Sequence, residues 1–180
     1  DYLQLDHHLP TQISSKTGTA IELHVKLFHA NDSGIITPDL SGDPDFWKRC
    51  ITKVMASKTL TYPSPTDQLL HLIVHASYGH LFDNGPLLLA DLHYLLQKDQ
   101  VDWLLFWQLA ERGKQERGCL LVLKLLERYF GPQPILWPEQ WSQEDVVPEA
   151  MLACASLLTL RDSSKRADVT LSSQLKHRSL

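Results

Sequence analysis

Two groups of side chains in this sequence have the types and spacing to do chemistry. The first lies in the run Thr19 to Phe28, where Ile21, Leu23, Val25 and Leu27 alternate with Glu22, His24 and Lys26. That is the period of a β-strand, so an acid, an imidazole and an amine share one face. A carboxylate there suits metal-assisted phosphoryl chemistry, in which about three carboxylates on adjacent strands hold cations at the attacking and leaving oxygens. The plainer alternative is a solvated glutamate on a one-sided strand. Lys26 would neutralise a phosphate in the first case and pair with Glu22 in the second. His24 reads as a hydrogen-bonding spacer between them.

The second group is His71, His75 and Asp91. Imidazoles at i and i+4 on a helix stack about 6 Å apart, which is metal-ligand spacing. Position 72 is Leu, so the glutamate of a metalloprotease helix is missing. Asp91 falls among leucines in the middle of the next helix, where a buried carboxylate is costly unless paired. The three could bind a metal, contact a substrate, or tie two helices together as a structural network, and the structural role ranks first. His80 and His93 lie near helix ends and read as surface residues. Trp103 and Trp107 repeat at helical spacing as core or interface anchors. There is no Gly-rich phosphate loop, no G-x-S-x-G and no C-x-x-C, which removes most common catalytic classes.

The elements that must position these residues change character along the chain. Asp1 to Pro10 reads as an extended tail, Lys16-Thr17-Gly18 as a turn, and Asn31 to Gly34 as the turn closing the strand. Asp45 to Ser57 is expected to form a short helix with Phe46, Trp47, Ile51 and Val54 inward. From Ser64 the period becomes helical. Ser64-Pro65-Thr66-Asp67 combines an N-cap, a first-turn proline and a first-turn acid, and the greasy helix that follows should end near Gly79. Further helices are expected over 87–98, over 103–112 with Asp102 as cap and Gly113 as stop, over 115–130 stopped by Gly131-Pro132, and from Pro148-Glu149 to Leu160. Pro134 to Val147 is a loop holding Trp137 and Trp141, and residues 161–180 are a polar tail. The fold class is therefore α+β: a small β-containing segment followed by a mainly antiparallel bundle of about five helices. The expected division is 1–60, 61–160 and 161–180.

Bulk properties narrow the function. An apolar fraction of 43% is enough for a real core. The net charge of −4, with scattered Lys and Arg, argues against duplex nucleic acid as a partner. Cys50, Cys119 and Cys154 are far apart and odd in number, which suits buried thiols in a reducing compartment. No apolar run approaches the roughly 18 residues of a membrane span, so no membrane association and a cytoplasmic location are expected.

Ile21-Glu22-Leu23-His24, then Ser64 to Ala76 with its two histidines, then Leu89-Ala90-Asp91-Leu92 and Val101-Asp102-Trp103, together resemble a known family. It is the uncharacterised bacterial nucleotidyltransferase family within the DNA-polymerase-β-like superfamily, and the resemblance covers about residues 5 to 130. It implies an αβ nucleotidyltransferase palm joined to a helical C-terminal region. It also implies transfer of a nucleoside monophosphate from an NTP to an unknown acceptor with Mg2+. Glu22 would be the palm's third acidic residue, acting in catalysis as a metal ligand, with His24, Lys26, His71, His75 and Asp91 around the substrate. Val25 stands where the family usually has Trp. The Gly-Ser helix start and the D-x-D strand that precede this strand in the family do not precede it here. Since the chain opens at Asp1, it reads as the C-terminal portion of a longer protein, inactive by itself, because a lone carboxylate holds Mg2+ poorly. Two competing readings remain: a non-catalytic helical binding module contacting partners through Trp137 and Trp141, and a metal-dependent helical enzyme built on His71, His75 and Asp91.

Overall fold

The computed structural model describes residues 9–24, 44–141 and 147–160. Among them helices dominate and two short antiparallel hairpins supply the strands, a mixed α+β fold as expected. The strands are β1 (Gln12–Ile13), β2 (Ala20–Ile21), β3 (Ile51–Met55) and β4 (Lys58–Tyr62). The α-helices among the described residues are α1 (Pro44–Arg49), α2 (Pro65–Val74), α3 (Leu87–Lys98), α4 (Trp103–Arg112), α5 (Glu116–Phe130) and α6 (Glu149–Leu160). The chain divides into two units, residues 1–71 with 100–116, and residues 72–99 with 117–180.

In the first unit, β1 and β2 pair with Gln12 opposite Ile21 and Ile13 opposite Ala20. The turn between them uses Gly18 at φ 69°, which a side chain would disfavour. The strand expected over 19–28 is therefore shorter. Regular pairing ends at Ile21, Leu9 N donates to Leu23 O at 2.9 Å, and residues 25–28 lie outside the described residues. Its apolar face is also not buried, since Ile21 and Leu23 are 54% and 55% exposed. A two-stranded ribbon has no layer of its own to cover one face.

The helix expected over 45–57 stops at Arg49, and the hairpin β3–β4 takes its place. Ile51-Thr52-Lys53-Val54 and Thr59-Leu60-Thr61-Tyr62 are rich in β-branched residues, which favour a pleated strand. Ala56 and Ser57 both take positive φ, 48° and 64°, the conformation a tight two-residue hairpin turn demands. Phe46 is buried as expected, whereas Trp47 and Val54 face solvent.

The start of α2 organises the rest of this unit. Ser64 Oγ accepts from Asp67 N at 3.1 Å and donates to the Asp67 carboxylate, so cap and first-turn acid satisfy each other. Arg49 reaches the same carboxylate through Nε and Nη2, at 2.9 and 2.6 Å. Thr66 Oγ1 accepts from Asp102 N, and Asp102 in turn caps α4 by accepting from Leu105 N at 3.0 Å. On α4, Trp103, Phe106 and Trp107 pack edge to face, with centroids 5.4 and 5.0 Å apart. Gly113 ends α4 as expected. It keeps a negative φ of −81°, Lys114 takes the left-handed position at 54°, and a Cβ on Gly113 would lie 2.7 Å from the Gln115 side chain.

In the second unit, a single π-helical turn, His75–Gly79, follows directly on α2. Leu89, Leu92 and Leu95 of α3 are buried, as are Cys119, Val122, Leu123, Leu125 and Leu126 of α5. Gly131, at φ 73°, ends α5 where expected. Trp137 and Trp141 are half-buried rather than exposed, and Lys124 Nζ sits 4.3 Å from the Trp137 ring centre. Arg128 pairs with Glu149 at 2.7 Å. Cys50, Cys119 and Cys154 are free thiols, but of the three expected to be buried only Cys119 is; Cys50 is half-buried and Cys154 exposed. No helix among the described residues is long and apolar enough to cross a membrane.

Candidate functional site

Three of the residues expected to carry chemistry belong to the first unit: Glu22 and His24 beside β2, and His71 on α2. The Glu22 carboxylate is exposed, and its Oε1 accepts a hydrogen bond from Thr11 Oγ1 at 3.0 Å. That bond is cross-strand, because the β1–β2 register sets Thr11 opposite Glu22. His24 is also exposed, while His71 is half-buried. Burial holds the His71 imidazole below its ordinary value, and the charge of nearby His24 pushes it further the same way. At neutral pH His71 is therefore an uncharged imidazole, with one nitrogen to donate and one to accept.

That shift has a consequence for stability. The unfolded chain protonates His71 near its ordinary value of 6.5, whereas the folded chain resists protonation. Between the two values the unfolded state holds more protons, so stability rises with pH in that window. The contribution is complete above pH 6.5, declines as pH falls through it, and levels off below the folded value. In urea denaturation at a series of pH values, His71→Gln should flatten this slope; an unchanged slope would show that His71 is not its source.

The other expected residues are placed differently. Lys26 lies outside the described residues. Asp91 belongs to the second unit and is exposed, contrary to the expectation of a buried carboxylate needing a partner. It is on the solvent side of α3, whose leucines at 88, 89, 92, 95 and 96 face inward. His75 is also in the second unit, where its Nε2 lies 2.9 Å from Nε2 of His80. His80, read from sequence as a surface residue, is thus part of a pair. Among the described residues no group of three or more His, Cys, Asp or Glu side chains is placed to hold a metal ion. Glu22 with its described neighbours does not by itself make a Mg2+ site.

The second unit also contains a cleft of about 380 Å3, lined by Leu120, Leu121, Trp141 and Met151 with Arg117 among them. Sequence reading missed it, because it is formed by residues far apart along the chain.

The helical pattern, the small hairpins and the acid beside β2 suit a nucleotidyltransferase-like protein. Residues 2–131 match the model of a family described as uncharacterised nucleotidyltransferase, and the chain belongs to that family. A search of curated proteins and a search of solved structures find no match.

Proposed function

We propose that the protein takes part in nucleotidyl transfer, moving a nucleoside monophosphate from an NTP to an acceptor of unknown identity in the cytoplasm. In such a transfer the acceptor's nucleophile bonds to the α-phosphorus, the bond to pyrophosphate breaks, and the nucleophile's proton passes to solvent or a basic side chain. The observation that carries this reading is the family match over the segment holding Glu22, His24 and His71. Glu22 is assigned the role of an acidic residue supporting Mg2+, which requires carboxylates besides those the described residues bring together. His24 and His71 are assigned to substrate: an exposed imidazole beside an uncharged one offers hydrogen bonds to phosphate or acceptor oxygens. The 180-residue chain on its own is proposed to be inactive.

The test is transfer of label from α-phosphate-labelled NTPs, with Mg2+ and a small-molecule extract as acceptor source. The polypeptide as its gene encodes it should transfer label, its Glu22→Gln form should lose at least a hundredfold of that rate, and residues 1–180 should transfer none. Turnover by residues 1–180 sinks the inactivity assignment. Full activity of Glu22→Gln sinks the catalytic one and leaves a non-catalytic binding module.

A further inference from the structure

The pairing of His75 with His80 is not a helical commonplace. On an α-helix, residues five apart are separated by about 140° around the axis, so their side chains diverge. Here the backbone departs from the α-helix over this interval. His80 N donates to His75 O at 2.9 Å, the five-residue spacing of a π-turn, and Phe82 N donates to Ala76 O at 2.8 Å. Leu81 and Phe82 then both take positive φ, 48° and 66°, an unfavourable conformation for a leucine and a phenylalanine. The outcome of this winding is two imidazoles set edge to face, 82° between planes, with centroids 4.3 Å and Nε2 atoms 2.9 Å apart. His80 is exposed and His75 half-buried, so the pair opens to solvent on one side.

We infer that His75 and His80 form a two-imidazole binding site for a divalent transition-metal cation, with water completing the coordination. Imidazole nitrogens bind such cations at about 2.0–2.1 Å, so two of them on one cation lie about 2.9 Å apart at a right angle and about 3.3 Å apart at the tetrahedral angle. The observed separation meets the right-angled case, which Ni2+ and Cu2+ favour, and a few tenths of an ångström of spreading admits Zn2+. Without metal, the same separation is a hydrogen bond in which one ring donates from Nε2 and the other accepts. Binding requires both rings to present a bare Nε2, so the donor ring's proton moves to its Nδ1 through solvent and the cation replaces the shared proton. No net proton is lost when both rings start neutral. The inference does not rest on nucleotidyl transfer.

Calorimetric titration of the 180-residue chain with NiCl2, and separately with ZnCl2, tests the inference. His7 and His8 are both changed to Gln in the parent, to remove the adjacent imidazoles near the N-terminus. One cation should bind per chain, His75→Gln or His80→Gln should weaken binding at least tenfold, and His71→Gln should leave it unchanged. The ring 15N resonances of His75 and His80 should both shift at Nε2 on adding Zn2+, which reads the site without relying on a variant. Absence of binding, equal affinity in the His80→Gln form, or a Zn2+-induced shift confined to other histidines would overturn it, leaving the pair a hydrogen bond that closes the π-turn.

Discussion

Asp67→Ala should lower the stability of the protein by about 3 kcal/mol, measured by urea denaturation, the largest effect expected of any single substitution considered. The Asp67 side chain is fully buried, and Arg49 is only 18% exposed. Its carboxylate receives two nitrogens of the guanidinium in the forked geometry that makes such pairs strong, plus the Ser64 hydroxyl. Removing it takes this carboxylate from a mostly buried cation and frees the cap of α2 from half of its reciprocal bonding. Coulombic gain and desolvation nearly cancel in an intact buried pair, so the loss comes chiefly from the charge left behind. It follows that Arg49→Met in the Asp67→Ala background should restore part of the stability, because it removes a mostly buried charge that has lost its carboxylate. A double variant less stable than Asp67→Ala alone would contradict that account. Because Arg49 ends α1 and Asp67 begins α2, the hairpin β3–β4 lies between two anchored points, and a loss there is expected to loosen it as well.

The parts of this fold that could be read from sequence are those whose signals are local. The caps at Ser64 and Asp102, the proline at 65 and the Gly131-Pro132 stop act within a few residues of themselves, and the helices begin and end within a residue or two of where those signals fall. The hairpin β3–β4 was missed because Ala56-Ser57 takes positive φ without the Asn-Gly chemistry that normally advertises such a turn. Gly113 stops α4 where the sequence places the stop, and at a φ of −81° it does so as room for the Gln115 side chain.

The candidate site divides along the same line. The types of Glu22, His24 and His71 are legible in the sequence. That α2 brings His71 within electrostatic reach of His24 is not, since the positions are 47 apart and no local pattern links them. Asp91 was misjudged because leucines flank it in sequence while the helix turns it outward. The His75–His80 pair was hidden for a related reason. A period of 3.6 pairs His75 with His71, and only the π-turn pairs it with His80.

The same stretch also crowds the start of α5. Gly118 lies in the first turn of α5, where backbone N–H groups have no partner within the helix, and its N–H is satisfied by the Tyr78 hydroxyl at 3.1 Å. The Tyr78 ring approaches so closely that a Cβ on Gly118 would overlap Tyr78 Cε2 and lie 2.9 Å from both Tyr78 Cζ and Ser77 Oγ. Ser77 cannot easily give way, because it is buried and its hydroxyl is committed to Ile73 O at 2.7 Å. Two effects of Gly118→Ala oppose each other. Helix propensity favours alanine by up to about 1 kcal/mol, while forcing a methyl into a filled space costs about 1–3 kcal/mol. The clash involves a ring held at its far end by its own hydrogen bond, so it should win, leaving a net loss of about 1–2 kcal/mol in urea denaturation. With Tyr78 replaced by Ala the ring is gone and only the Ser77 contact remains, so the same Gly118→Ala change should cost clearly less than in the parent. That reduction in cost separates crowding by Tyr78 from a general intolerance of side chains at this position, since a glycine needed for its backbone alone would show the same loss in both backgrounds.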